Sequence, residues 1–206
     1  GHMPKVIELL AARGLALAWS RYVGDERTLI TEALQHAFAS GDIVFSCGGI
    51  GATPDDHTRQ CAAAALQREL VLHPQAKLLI EQRMQDVARE RGEAYEPDRD
   101  DNVHRLNMGV FPAGAEIIAN PFNKIPGFSI ADVHFVPGFP VMAWPMIEWV
   151  LDQYKEKKPK DPTIREKFDT YRFADHKEHV IDLLARVTTV SERTMAIVDA
   201  MVAAPR

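Results

Sequence analysis

The residues most able to do chemistry lie together in one stretch, residues 46–58, with sequence SCGGIGATPDDHT. Its three glycines, Gly48, Gly49 and Gly51, allow backbone angles and close approaches that a Cβ would prevent. The main-chain amides of such a loop, next to a helix N-terminus, suit a phosphate group. Asp55 and Asp56 would repel a phosphate but suit a divalent cation such as Mg²⁺ that bridges to it. The alternative is a glycine-rich turn in which Asp56 only caps the next helix.

Two further stretches could form the opposite wall of such a site. Residues 120–128, with sequence NPFNKIPGF, predict a rigid loop in which Lys124 could pair with phosphate. Asn120 and Asn123 in the same loop could bond the edge of a heterocycle or a sugar. Residues 137–140, PGFP, predict a strand-to-helix turn whose amides could also face an anion. Because proline, glycine and asparagine recur in turns for backbone reasons alone, turn chemistry is the alternative for both stretches.

Five other side chains are open to a chemical or a structural interpretation. His57, beside the aspartates, could carry a proton, but a solvent-facing histidine at a helix start is the simpler interpretation. Cys47 could be reactive or a small buried filler, whereas Cys61 in an alanine-rich helix indicates packing. His176 and His179 have the spacing of a metal-ligand pair, with no third ligand apparent beside them.

The composition is typical of an ordinary globular protein: 206 residues, 46% hydrophobic and 26% charged. The net charge of −5 argues against a broad nucleic-acid footprint, which needs a basic face. No apolar run reaches membrane-spanning length, no signal-peptide pattern is present, and two cysteines make no disulfide scaffold. We therefore expect a cytoplasmic protein with neither a nucleic acid nor a membrane as its partner.

The order of the predicted elements indicates an α/β fold whose sheet is covered on both sides. They are a helix over residues 4–14, a strand over 15–23, a helix over about 26–39, a central parallel strand over 43–45, helices over 58–70 and 74–91, a surface connection over 93–104, strands over 109–112, 116–119, 128–130 and 133–136, and a helix over 141–151. Asp25 is predicted to cap the second helix. Ala131 and Asp132 are predicted to form the tight turn between the last two strands. Ligands of such sheets bind beyond the C-terminal strand ends, where the glycine loop would lie.

The stretches GGIGATPDDHT, NPFNKIPGF and PGFP, in this order and spacing, resemble the molybdopterin-binding domain family. Within it they are most similar to the competence/damage-inducible protein A (CinA-type) branch, whose loop reads GG-small-G-x-x-x-DD-x-T. The Mog and MoaB branch has an Arg-Asp pair at the place of Asp55 and Asp56. The resemblance implies a three-layer α/β/α sandwich with a mostly parallel sheet over residues 4–152. Residues 153–206 are predicted to form a linker and a helical C-terminal extension.

The resemblance also implies a ligand. Members of the family bind a phosphorylated pterin or a nucleotide at the glycine loop; Mog-type members adenylylate molybdopterin, and CinA-type domains are linked to metal-dependent cleavage of ADP-ribose pyrophosphate. By this resemblance Asp55 and Asp56 would be the catalytic and metal-binding residues, with Mg²⁺ as the ion and molybdopterin or an adenine nucleotide as the ligand. The candidate ligand-binding residues are Gly48, Gly49, Gly51, Thr53, Thr58, Asp25, Asn120, Lys124, Pro126, Gly127, Gly138 and Pro140. The family also implies a homo-oligomer, either a dimer or a trimer.

Four departures from the family pattern bear on catalysis more than on the fold. In the family a strand ending in Gly-Asp-Glu-Leu precedes the first helix, whereas this sequence starts directly with that helix at Pro4. We expect either a gene start placed at an internal Met3 or omission of the strand, with the neighbouring strands left unpaired. Asn123-Lys124 replaces the usual Gly-Thr, Met142 replaces the Glu that follows the Pro-Gly-x-Pro turn, and residues 153–206 match no family segment clearly.

Three functions therefore remain open from the sequence, and no nucleophile is identified. The first is a binding domain for molybdopterin or a related nucleotide. The second is a Mg²⁺-dependent ADP-ribose pyrophosphatase or a molybdopterin adenylyltransferase. The third is a degenerate, non-catalytic domain kept for assembly.

Overall fold

The computed structural model describes residues 2–157, in which helices cover a central sheet. The helices are α1 (His2–Ala11), α2 (Arg27–Ser40), α3 (Thr58–Leu66), α4 (Pro74–Arg91), α5 (Asp100–Arg105) and α6 (Pro140–Lys157), with a 3-10 turn over Leu106–Gly109. The strands are β1 (Val44–Cys47), β2 (Leu70–Leu72), β3 (Val110–Pro112), β4 (Glu116–Ile118), β5 (Gly127–Ile130) and β6 (Val133–Val136). No helix in this part of the chain is long and apolar enough to cross a membrane.

The main sheet has the order β1-β6-β5-β4, and β2 and β3 form a separate antiparallel pair. The β1–β6 pair is parallel, whereas β5 is antiparallel to both β6 and β4. A short turn joins β5 to β6, which forces them antiparallel, while the long helical connection from β1 to β6 permits a parallel pair. The α/β class is confirmed, and within residues 2–157 the parallel pairing is that of β1 with β6.

The β5–β6 hairpin is confirmed as predicted, with Ala131 and Asp132 between the strands. Ala131 takes a left-handed backbone angle (φ +49°), which lets the chain reverse over so few residues. Phe128 lies opposite Phe135 across the hairpin, and their rings stack with centroids 4.3 Å apart. Phe111 stacks on Phe128 at 4.6 Å, so the strand pair is tied into the core by three aromatic rings.

Two apolar clusters lie on opposite faces of the sheet and give the predicted three layers. One contains Leu34, Ala37, Cys61, Ala62, Phe111, Phe128, Ile130, Val133 and Phe135, with α2 and α3 on that face. The other contains Leu9, Leu10, Ile118, Val136, Met146, Ile147 and Val150, with α1 and α6 on that face. Phe135 and Val136 are adjacent in β6 and enter different clusters, because side chains alternate across a strand. The three-layer α/β/α architecture is therefore confirmed.

The predicted strand over residues 15–23 is wrong. Residues 15–24 carry no strand, and side chains such as Leu17, Trp19 and Tyr22 are exposed. A strand depends on hydrogen bonds to a neighbouring strand. Within residues 2–157, β1 pairs with β6 alone, so β1 is an edge strand of the described sheet rather than a central one. The segment is held instead by contacts such as that of the Trp19 indole, which donates to Asp42 Oδ2 at 2.8 Å.

Smaller differences have local causes. Glu26 rather than Asp25 is the N-cap of α2, and its side chain makes no capping hydrogen bond. Helix α3 ends at Leu66, before the predicted residue 70, because Gln67 adopts a left-handed conformation (φ 53°), and β2 follows. Helix α5 forms within the predicted surface connection. Most of the predicted extension over residues 153–206, including His176 and His179, lies outside the described residues.

Candidate functional site

The glycine loop joins β1 to α3 at the C-terminal end of the parallel β1–β6 pair. Gly48 N donates to Val136 O at 2.9 Å, which continues the pairing of the two strands into the loop. Residues 137–139, between β6 and α6, lie directly beside it: a Cβ on Gly138 would stand 3.5 Å from the Cα of Gly48. The structure therefore brings the first and third of the predicted stretches together.

The first two residues of α3 bind three successive carbonyl groups of the loop. The Thr58 hydroxyl donates to Gly48 O at 3.1 Å, and the Thr58 amide donates to Gly49 O at 3.0 Å. The Arg59 guanidinium donates from Nη1 to Ile50 O at 2.9 Å. The Ile50 side chain is itself buried in the core, so the middle of the loop is held from both its backbone and its side chain.

The orientation of these carbonyls determines where the amides of the same peptides point. In a trans peptide the C=O and N–H lie on opposite sides, so the amides of Gly49, Ile50 and Gly51 point away from the groups that bind the carbonyls. None of these three amides donates to an acceptor within residues 2–157. Successive unbonded amides beside a helix N-terminus are the arrangement that binds anions.

Two of the glycines are required by contacts within the loop. Gly49 has a left-handed backbone angle (φ +69°), and a Cβ there would collide with Thr58 Oγ1. A Cβ on Gly51 would lie 2.6 Å from Asp56 Oδ2. Any side chain at either position would displace the groups that hold the loop.

The two aspartates have different environments. Asp56 Oδ2 accepts hydrogen bonds from the Thr53 amide at 2.9 Å and from the Thr53 hydroxyl at 2.6 Å, so Asp56 closes the turn over residues 53–56. It does not cap α3, whose N-cap residue is His57. Asp55 is exposed, and the pKa of its carboxyl is lowered, mainly by the nearby Thr53 side chain, whose proton is donated to Asp56, and to a smaller extent by its own backbone amide and by His57. Asp55 is therefore a charged carboxylate at neutral pH that faces solvent.

A resident metal does not fit the described residues, because none of their His, Cys, Asp and Glu side chains form a group of three or more that could hold an ion. Mg²⁺ commonly binds through one or two carboxylates, several waters and the phosphate oxygens of its ligand. Asp55 and Asp56 fit that second situation, in which the ion arrives with a phosphate. Cys61 is buried, so the packing role predicted for it is confirmed. Cys47 is exposed as a residue, but burial of its thiol raises the pKa to about 11, which opposes a reactive thiolate.

Sequence reasoning missed two residues that hold the loop. Arg59 is only 4% exposed; burial lowers the pKa of its guanidinium, and the neighbouring Asp56 acts in the opposite direction. Its spacing could have indicated this burial, since Arg59 shares a helical face with Ala62, Ala63 and Leu66 at i+3, i+4 and i+7. His104, in α5, contacts Ala52 O through Nε2 at 3.0 Å, and no local pattern predicts that contact.

The second predicted stretch lies at the same edge of the sheet, because β5 begins there antiparallel to β6. Asn120 is buried, and its side chain bonds within its own loop: Nδ2 donates to Asn123 Oδ1 and to Ile125 O, and Oδ1 accepts from Phe122 N. Asn123 Nδ2 contacts Met142 Sδ at 3.3 Å, which links the loop to the start of α6. Asn120 therefore shapes the loop, and its polar groups already have partners.

The remaining candidates occupy varied positions. Lys124 (φ +66°) places its ammonium 2.5 Å from Asp86 Oδ2 on α4, so in this structure it pairs with a carboxylate. Pro126 and Gly127 are buried, and a Cβ on Gly127 would collide with the carbonyl oxygen of Phe135. Pro140 is the first residue of α6. Asp25 is exposed and makes no hydrogen bond or ion pair with another residue of the described part.

The family model described as the probable molybdopterin binding domain matches residues 2–157. The chain belongs to this family. A CinA-like protein of Anaeromyxobacter sp. (strain Fw109-5) is 32% identical over 157 residues, which covers 74% of this chain and 36% of the relative. A protein of Alkaliphilus oremlandii (strain OhILAs), named as a candidate competence-damage inducible protein, is 30% identical over 154 residues, covering 72% of this chain and 34% of the relative.

A solved structure also supports the fold. The protein CinA of unknown function from Thermoplasma acidophilum aligns with a TM-score of 0.56 at 24% identity, over 75% of this chain and 85% of that one. The molybdopterin-binding domain described here spans about a third of the length of the curated relatives it matches. The resemblance to the CinA-type branch is therefore confirmed at the level of the domain.

Proposed function

We propose that this domain binds the phosphate group of a phosphorylated pterin or an adenine nucleotide at the glycine loop. One observation supports this most strongly: the loop carbonyls of residues 48–50 are all bonded to α3, while the amides of Gly49, Ile50 and Gly51 are left without an acceptor in residues 2–157. An amide without a protein acceptor gains a strong partner when an oxyanion binds. Membership of the molybdopterin-binding domain family favours a pterin or a nucleotide as the molecule that carries the phosphate.

The acidic pair supports a metal-dependent version of this function. Asp55 and Asp56 would hold a Mg²⁺ ion that arrives with the ligand. When bound, that ion would neutralise charge on the phosphate oxygens. The loop amides would orient the same phosphate group, and Asp55 is the freer of the two carboxylates because Asp56 already accepts two hydrogen bonds from Thr53. A domain equipped in this way could cleave or form a phosphate anhydride, as a pyrophosphatase or an adenylyltransferase does.

Titration calorimetry on the full 206-residue chain tests the proposal. ADP-ribose, ATP and molybdopterin are each titrated with and without Mg²⁺, and phosphate or AMP release is followed in parallel. Binding without turnover supports a binding domain. Turnover that is lost in Asp55→Asn supports the enzyme; this variant is more informative than Asp56→Asn, because Asp56 also holds the loop. If none of the three ligands binds under either condition, the proposal is wrong and a non-catalytic assembly role is favoured.

A further inference from the structure

Arg59 presents an electrostatic problem that the fold alone does not solve. Its side chain is 4% exposed, and a buried charge is normally paired with a counter-charge. Within residues 2–157, its hydrogen-bond partner is one neutral carbonyl, Ile50 O, and no carboxylate lies within ion-pair distance of it. Asp56 favours its charged form from a distance, but the carboxylate oxygen Oδ2 of Asp56 is already engaged by Thr53. A buried positive charge, which Asp56 offsets through space but not through an ion pair, therefore lies beneath the glycine loop.

The hydrogen bond from Arg59 to Ile50 O also affects the Gly51 amide on the other side of the same peptide. Ile50 C=O and Gly51 N–H belong to one planar peptide, so a cation on the oxygen draws electron density from the N–H. The carbonyls of the two preceding peptides, at Gly48 and Gly49, receive their hydrogen bonds from the neutral donors of Thr58. The Gly51 amide is therefore the loop donor whose peptide carries a charged group on its far side.

We propose that Arg59 is a positioning residue for the phosphate site, which orients the Ile50–Gly51 peptide and strengthens the Gly51 amide as a donor to the oxyanion of the ligand. This inference rests on the proposed function, because it assumes that the loop binds a phosphate group. It also implies that the site retains part of its phosphate affinity without a metal ion, since the buried guanidinium offsets the charge of the bound anion.

The test compares Arg59→Met with a matched control, Arg68→Met. Arg68 is a second arginine that donates to a backbone carbonyl, Ala113 O at 3.0 Å, but it is exposed and lies next to β2 rather than at the loop. Inorganic pyrophosphate is titrated without Mg²⁺ into both variants and the wild type, all as the full chain. We expect Arg59→Met to weaken binding about tenfold, which corresponds to about 1.4 kcal/mol and is typical of a lost hydrogen bond to a charged group. Arg68→Met should bind as the wild type does.

The amide chemical shifts provide a readout that a merely structural role would not change selectively. In the wild type we expect pyrophosphate to move the amide proton signals of both Gly49 and Gly51. In Arg59→Met the shift of Gly51 should shrink much more than that of Gly49, whose peptide is bonded to Thr58 instead. Equal effects on both amides, or none on Gly51, would overturn the assignment.

The outcomes separate this inference from the proposed function. A wild type that does not bind pyrophosphate or any of the nucleotides contradicts the proposed function. A wild type that binds, together with a folded Arg59→Met that binds equally well, contradicts only the role of Arg59. Should Arg59→Met fail to fold, Arg59→Lys replaces it, compared with Arg68→Lys. We expect Arg59→Lys to show a smaller loss of affinity and a reduced Gly51 shift, and wild-type values for both would overturn the proposal.

Discussion

The hydroxyl of Thr53 lies 2.6 Å from Oδ2 of Asp56, and the Thr53 amide donates to the same oxygen. This contact closes the end of the glycine loop, and Asp56 lies two residues before Thr58, the first residue of α3 and the donor to Gly48 O. The two adjacent aspartates therefore have different roles. Asp56 holds the loop through its hydrogen bonds with Thr53, whereas the side chain of Asp55 is exposed to solvent.

The two aspartates should therefore respond differently to substitution. Asp56→Ala removes an acceptor of two hydrogen bonds and should lower the free energy of unfolding by about 2 kcal/mol, since bonds to a charged group are lost. Asp55→Ala should change it much less, as is usual at an exposed site. Urea unfolding of both variants measures the difference. Equal destabilisation by the two substitutions would contradict the structural role given to Asp56.

Thr58→Val tests the attachment of the loop to α3. Valine keeps the shape of threonine but removes the hydroxyl that donates to Gly48 O, in a residue that is 6% exposed. We expect the free energy of unfolding to fall by about 1–3 kcal/mol, because a partly buried carbonyl loses its partner. We also expect pyrophosphate to bind more weakly. Thr31→Val is the matched control: Thr31 Oγ1 donates to Arg27 O at 2.7 Å on the exposed side of α2. If both variants bind pyrophosphate equally, the Thr58 hydroxyl does not orient the amides.

Gly49→Ala should damage the loop more than the same change at Gly41. Both glycines have left-handed backbone angles, φ +69° and φ +72°, but a Cβ would collide with Thr58 Oγ1 at Gly49 and meet nothing within 4 Å at Gly41. Gly41→Ala should cost about 1–2 kcal/mol for the left-handed conformation alone. Gly49→Ala should cost about 1–3 kcal/mol more through overpacking and should abolish phosphate binding. Thermal unfolding and pyrophosphate titration measure both effects; equal losses would show that the contact with Thr58 relaxes freely.

The Lys124–Asp86 pair predicts a pH dependence. The pKa of Asp86 is lowered chiefly by the hydrogen bond from Lys124, so the pair stabilises the fold above the ordinary carboxyl pKa and is lost as the pH falls through the lowered value. In Lys124→Met, NMR titration should show the Asp86 pKa moving back towards its ordinary value. At neutral pH the free energy of unfolding of this variant should be lower than that of the wild type. In acid the two values should converge.

The same variant tests whether Lys124 binds the ligand. Because its ammonium is held by Asp86 in this structure, Lys124→Met should leave the affinity for pyrophosphate unchanged. Weaker binding would mean that Lys124 leaves Asp86 to reach the phosphate. The pKa of Asp86 should then rise when pyrophosphate is added to the wild type.

Local features of the fold could be predicted because neighbouring residues specify them. Helix α4 runs from Pro74 to Arg91 as predicted, since its apolar spacing, its leading proline and the glycine that follows it all lie within the segment. The β5–β6 hairpin is equally local, with two apolar runs and a short turn between them. The segment over residues 15–23 has similar apolar content but forms no strand, because strand formation depends on a neighbour that its own sequence does not encode.

The sequence by itself identified the glycine loop, the two aspartates beside it and the family resemblance, because each depends on residue types at fixed spacing. The tertiary structure alone decided what the individual side chains do. In the folded molecule Asp56 accepts a hydrogen bond from Thr53, and Lys124 forms an ion pair with Asp86. Arg59 is buried and donates a hydrogen bond to Ile50 O. Helical spacing can indicate that a side chain such as Arg59 is buried, but it does not name the group that the side chain meets. Lys124 and Asp86 lie 38 residues apart, so their pairing exists only in the packed molecule.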